Sequence, residues 1–318
     1  MKLVRENISF QRGVDPKTSL SIGRKALIDE WFKTWAPDTK YKLDDSLNIT
    51  IEDDLDLRGG EIEELPDNLY IKGSLNLRKS KIKNLPNNLS VEGDLNLNGT
   101  NIKKLPDNLI VSGNLDLEET PIKEIKDNIH IYGNIYLKGS KIEKLPDNLI
   151  VYGNLNLKRS PIKELPENLT VKGSLDISET NIKELPKSLN IGVSLYLNKT
   201  NIKEIPDNLS NINGDLSLKK SSIKRLPNNL TVNGYLDLEE TPIESLPDNL
   251  IVNKSLYLEN SNVKKLPRKL YVGGDLNLNN TSIEELLGDL TIYNNLYLSG
   301  TNIKRVSNSV KIGGKIYK

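Results

Sequence analysis

The sequence contains no cysteine, one histidine and one methionine, and only 5% of its residues are aromatic. Without cysteine there are no disulfide staples, no thiolate nucleophile and no cysteine-based zinc site. No apolar run approaches the roughly eighteen residues that a membrane-spanning helix needs. The opening stretch MKLVRENISF lacks the apolar core of a secretory leader, so the expected chain is soluble and cytoplasmic. An excess of charge of one sign is missing too. The 44 Lys and Arg face 43 Asp and Glu, which gives no general attraction to nucleic acid or anionic lipid. Neither is expected as a partner.

What the chain does contain is repetition. Leu105 to Glu124, LPDNLIVSGNLDLEETPIKE, is one copy of a twenty-residue unit that returns from about Leu47 to the last residue. A fixed short period marks a solenoid, in which each unit buries its apolar face only against its neighbours. Leu85, Leu89, Val91, Leu95, Leu97 and Ile102 open six columns that stay aliphatic in the later copies, so each coil is expected to point the same six side chains inward. Their burial alone does not offset the ordering of twenty residues, and a lone coil is expected to be unstable. Leu89 to Leu97 alternate with polar residues, the period of a strand facing a core. Gly93 interrupts that run, and its column is glycine in ten of fourteen coils. Such a glycine predicts a corner between two short parallel strands, where no side chain fits or a positive φ is required. Asp53 and Asn294, which stand in that column, tolerate left-handed geometry.

The remaining columns read as turns. Thr100 belongs to a column that is Thr or Ser in twelve of thirteen coils; its hydroxyls are expected to bond backbone groups and form a ladder up the stack. Proline follows the leucine of Leu105-Pro106 in ten of thirteen coils, which predicts a connector rather than a paired strand. Asn88 stands in an asparagine-rich column able to form a second, amide ladder. One residue is inserted in LSNING, between Leu209 and Gly214, and is expected to form a bulge.

Residues 1–46 do not follow the repeat. Trp31, Trp35, Phe10 and Phe32 all lie there. Ser21 to Trp35 is expected to form a helix with Leu27, Trp31 and Trp35 on one face, stopped by Pro37. Gly13, Asp15 and Pro16 predict a turn before it, with residues 1–20 as an extended arm. The helix is expected to cap the open end of residues 47–318. The run Phe10-Gln-Arg12-Gly13-Val-Asp15-Pro16-Lys17, followed by Leu20-Ser-Ile22-Gly23, resembles leaders of uncharacterised proteins of large tailed phages; that resemblance implies a phage origin and a location in host cytoplasm or virion.

Leu95-x-Leu97-x-x-Thr100-x-Ile102-x-x-Leu105-Pro106 resembles the core of a leucine-rich repeat, closest to the short, helix-free repeats of bacterial effectors. Two positions depart from it: Thr or Ser replaces the usual asparagine, and Val91, four residues before Leu95, replaces a leucine expected three before. The resemblance implies a horseshoe, whereas the added Leu-x-Val-x-Gly segment resembles a coil of a straight parallel β-helix. The fold class expected is all-β, a right-handed parallel β-solenoid of about 13–14 coils, roughly 65 Å long at strand spacing.

Residues for catalysis are scarce. His130 lies between Ile129 and Ile131, which places it outward and alone. No phosphate loop, nucleophile elbow or paired-histidine motif occurs. The outward acids Asp94, Asp116, Asp176, Asp237 and Asp275 are spread along the stack. No enzyme, cofactor or metal is expected. A lysine column (Lys83, Lys103, Lys123, Lys163, Lys183, Lys203, Lys224, Lys264, Lys304) is mixed with Glu124, Glu143, Glu164, Glu184, Glu204, Glu244 and Glu284; it reads as a solvated face of mixed sign rather than a phosphate track.

Tyrosine is the more informative residue. Eleven of twelve lie in the repeats, at outward positions. Tyr132, Tyr136 and Tyr152 are expected to cluster over adjacent coils; Tyr257, Tyr271, Tyr293, Tyr297 and Tyr317 form a second group. Rigid aromatics on a strand face are typical contact anchors, and leucine-rich repeats bind through that face, as the resemblance implies. The expected function is a protein-interaction or structural solenoid. Two alternatives stand beside it: a virion component docked by its amino-terminal arm, and a β-helix protein that binds or degrades polysaccharide.

Overall fold

A computed structural model describes residues 16–318. Residues 1–15 of the arm expected over residues 1–20, including the Phe10–Asp15 part of the phage-like run, lie outside the described residues. The helix spans Pro16–Trp35, so residues 16–20 are helical and not extended. Proline suits a first helical position because its missing N–H has no partner there anyway. As expected, the helix ends just before Pro37. Its buried face is not Leu27, Trp31 and Trp35: Leu27 and Trp35 are exposed, while Phe32 and Ala36 are buried and Ile28 and Trp31 pack beside them. Phe32 stacks on Tyr41 with ring centroids 3.9 Å apart, and the Trp31 indole donates to Glu64 O at 3.1 Å. Strand Tyr41–Leu43 then pairs antiparallel with Ile49–Ile51, covering the first edge of the stack. The helix thus sits over the open core, and the strand satisfies its unpaired backbone groups.

From there the chain is a parallel β-solenoid of about thirteen turns. The six aliphatic columns are buried along nearly the whole stack in one continuous core. One wall is an unbroken sheet of 14 strands, from Leu55–Asp56 to Ile316–Tyr317. The other wall is divided into segments of six, three and six strands. It breaks between His130–Ile131 and Ile150–Val151, and again between Asn190–Ile191 and Asn211–Ile212. The second break is the inserted residue. There Asp207–Leu209 form a 3-10 turn, and the amides of Asn208 and Asn213 donate to Leu189 O and Gly192 O in place of ladder bonds. The 14-stranded wall runs through unaffected, with Leu195 and Tyr196 opposite Leu216 and Ser217.

The corner between the walls explains the glycine column. A Cβ on Gly133 would lie 2.4 Å from Gly113 O and 2.6 Å from its carbonyl carbon. Close approach of successive coils therefore leaves little room for a side chain, and the exceptions Val193, Lys254 and Asn294 still keep the inter-coil bond at 3.1–3.2 Å. The alternative expectation, a positive φ, is not observed in this column. Positive φ falls instead at Asn68, Asn88, Asn108, Asn148, Asn229 and Asn249, which is why asparagine, able to enter left-handed geometry, recurs there. Amides join neighbouring coils at Asn88–Asn68, Asn168–Asn148 and Asn249–Asn229, 2.8–3.0 Å apart.

The threonines form no ladder up the stack. Thr100, Thr120 and Thr200 donate to the carbonyl three residues earlier in their own coil, at 2.7 Å. Inter-coil side-chain bonding is carried by the residue after the corner glycine. Asp54, Ser74, Asp94, Asn114, Asn134, Asn154, Ser174 and Ser194 each accept the N–H of the equivalent residue one coil on, at 2.6–3.3 Å. Any short side chain with an acceptor oxygen serves. Asn134→Ser is therefore expected to leave stability within about 0.5 kcal/mol, whereas Asn134→Val orphans the Asn154 N–H and is expected to cost about 1–3 kcal/mol. Paired urea titrations of the two variants check this.

Candidate functional site

The outer face of the 14-stranded wall is organised by one straight column. Its fourteen residues are Asp56, Asn76, Asn96, Asp116, Tyr136, Asn156, Asp176, Tyr196, Ser217, Asp237, Tyr257, Asn277, Tyr297 and Tyr317. No lysine, arginine or histidine stands in it. All eight Asp and Asn do the same work: each side-chain oxygen accepts the N–H two residues on, at 2.9–3.2 Å, closing the turn after the strand. This is the local side-chain turn that Asp and Asn favour. Tyrosine cannot make that bond. At five positions the column gives it up for an aromatic ring.

The structure distributes the expected tyrosines over both walls. Tyr136, Tyr257 and Tyr297 belong to the column; Tyr132, Tyr152, Tyr271 and Tyr293 project from the divided wall or its corner. Tyr132 and Tyr152 stack with centroids 5.8 Å apart, across the break in that wall. They flank a cleft of about 240 Å³ also lined by His130, Asp147, Asn148 and Ile150. Tyr136 lies round the corner from this pair, so the expected trio is divided between two surfaces. Likewise Tyr297 stacks on Tyr317 at 4.9 Å, on the other wall from Tyr271 and Tyr293.

Two further tyrosines complete the face. Tyr196 donates to Asp215 Oδ2 at 3.3 Å. Tyr235 occupies the corner ladder itself and meets Tyr257 edge-on at 6.2 Å. Burial, and then the nearby Tyr196 and Asp215, push its phenol up to about 12. Asp237 is raised above the usual carboxylate range by burial, as is Glu118, by burial and then the Asp116 charge. The sequence signal for Tyr196 was available: a column holding only Asp, Asn, Ser and Tyr marks both the turn and its exceptions.

The acids named from the sequence prove to be structural participants. Asp94 and Asp275 accept backbone N–H groups at the corner; Asp116, Asp176 and Asp237 close turns. The lysine column pairs with glutamates of adjacent coils, as in Lys83–Glu63, Lys123–Glu143, Lys264–Glu244 and Lys304–Glu284 at 2.8–3.0 Å. Among the described residues no group of three or more His, Cys, Asp and Glu is placed to hold a metal, and no helix is long and apolar enough to cross a membrane.

No protein-family profile matches the chain, and no curated protein matches it. Among solved structures it is similar to a leucine-rich-repeat protein of Leptospira interrogans, 19% identical over 80% of this chain and 79% of that one, with a TM-score of 0.49. It is also similar to a chain of the glycosylated Toll–Spatzle complex of Drosophila, at 18% identity and TM-score 0.49, over 80% of this chain and 39% of that one. A third similarity is to YopM, a leucine-rich effector protein from Yersinia pestis, at 15% identity and TM-score 0.40 over 94% and 99% of the two chains.

Proposed function

We propose that this chain is a non-enzymatic interaction solenoid whose 14-stranded wall presents its outer face to a protein partner. One observation carries the reading. Tyr136, Tyr196, Tyr257, Tyr297 and Tyr317 stand where eight equivalent positions hold a turn-closing Asp or Asn. A local rule broken repeatedly and in one line points to selection for contact as well as for folding. Tyrosine on a rigid strand supplies a large amphipathic contact at little entropic cost. In this reading residues 1–46 serve as the cap and residues 47–318 as the binding body.

The test compares affinity purification from the native source with wild-type protein and with Tyr196→Ser/Tyr257→Ser/Tyr297→Ser. The variant is expected to keep its thermal transition and to lose the partner. A partner retained at wild-type level by the triple variant, but lost on Tyr132→Ser/Tyr152→Ser, would move the contact to the divided wall; retention by both would sink the proposal.

A further inference from the structure

The central column carries a second, longer period. Tyr136 pairs in register with Asp116 of the preceding coil, Tyr196 with Asp176, and Tyr257 with Asp237. These three Asp–Tyr steps recur every third coil. The residue inserted before Gly214 lengthens the last interval in sequence, but the unbroken pairing of Tyr196 with Ser217 leaves the spatial interval at three strands. At strand spacing the steps lie about 14 Å apart, in one line along the solenoid axis.

Each step sets a carboxylate that has no ion pair one strand away from a tyrosine in register. No cation stands within 4.0 Å of Asp116, Asp176 or Asp237 among the described residues, whereas Asp56, the one aspartate of the column not followed by tyrosine, is paired with Arg58 at 3.2 Å. Three neighbouring cations are engaged elsewhere, Lys219 on Glu239, Lys220 on Glu240 and Arg159 on Glu179, while Lys138 acts on Glu118 from a distance. Asp237 and Glu118 are held partly out of water without an ion pair, and both resist ionisation as a result. A carboxylate beside a tyrosine ring is suited to a guanidinium or ammonium group, through charge and through the ring's negative face.

We propose that the three Asp–Tyr steps are equivalent subsites for an extended basic segment of the protein partner, which inserts a lysine or arginine at every fourth residue. This rests on the interaction reading above and specifies its partner. The spacing selects four. An extended chain advances about 13–14 Å in four residues, and side chains at i and i+4 leave the same face. Spacings of three or five point successive cations to opposite faces. Nucleic acid and anionic glycans meet a column with carboxylates and no cation.

The experiment uses the full chain and labelled thirteen-residue peptides, followed by fluorescence anisotropy. The peptides carry three arginines in a Ser/Thr background, spaced by three, four or five residues at constant composition. The four-spaced peptide is expected to bind about tenfold more tightly than the other two. Asp116→Asn, Asp176→Asn and Asp237→Asn are each expected to weaken it by about fivefold. Asparagine already closes the same turn at Asn96 and Asn156, so these variants keep the fold. Equal binding of the three spacings, wild-type affinity in the Asn variants, or no peptide binding would overturn the proposal. If peptides fail while the serine variants still lose the native partner, only the basic-segment inference falls; if the serine variants keep the partner, the interaction reading falls with it.

Discussion

Replacing Gly133 by valine is expected to lower the stability of the chain by about 2–3 kcal/mol, the upper part of the range for overpacking a tight site. The reason is contact with backbone, which cannot step aside as a flexible side chain can. A Cβ there meets Gly113 O at 2.4 Å and the Asn114 nitrogen at 2.9 Å. Accommodating it requires the local corner backbone to shift, as it does where Val193, Lys254 and Asn294 keep the equivalent bond at 3.1–3.2 Å against 3.0 Å for Gly133 N–H to Gly113 O. A control separates sterics from conformational preference. Gly59 has a φ of +65° and open space around its missing Cβ, so Gly59→Ala is expected to cost only about 1–2 kcal/mol of left-handed strain. Urea midpoints of the two variants give the comparison, and similar losses would contradict the corner geometry.

Phe32→Ala is expected to cost about 3–5 kcal/mol, concentrated at one end of the molecule. Phe32 is 3% exposed and is held between the Tyr41 ring and the Trp31 edge, with centroids 3.9 and 4.9 Å away. Tyr41 also donates to Asp29, so losing Phe32 loosens both the helix and the strand that covers Ile49–Ile51. In a solenoid each coil contacts only its neighbours, and damage is local. Hydrogen exchange is expected to accelerate at Ile49–Ile51 and in the first two coils, while amides near Leu195 keep wild-type protection. Uniform acceleration along the chain would show that the cap controls the whole stack.

Much of this architecture was legible before the structure, and the reasons are specific. Leu89, Val91, Leu95 and Leu97 alternate with polar residues, and that pattern alone fixes two strands facing a core. The Gly93 column announced a corner, and Pro37 announced the end of the helix. The helix face differs from the expected one because Leu27, Trp31 and Trp35 are the bulkier stripe, yet Phe32 and Ala36 look down on the first coil. A four-residue spacing identifies a stripe; which stripe is buried depends on where the helix lands. The regular hydroxyls of the threonine column predict a ladder, but Thr100, Thr120 and Thr200 reach their own coil's carbonyl first, while Ser80, Ser160, Ser221 and Ser261 make no side-chain bond.

By itself the sequence determined the repeat length, the six inward columns, the corner and the outward placement of the tyrosines, because these depend on local periodicity and on burial of apolar side chains. Only the tertiary structure decided which outward residues share a surface. Tyr132 and Tyr136 are four residues apart in sequence but lie on opposite sides of a corner, whereas Tyr136, Tyr196 and Tyr257 fall in one line. That line, and the Asp–Tyr steps along it, exist only because parallel pairing sets each coil in register on the last, with the inserted residue absorbed in the other wall.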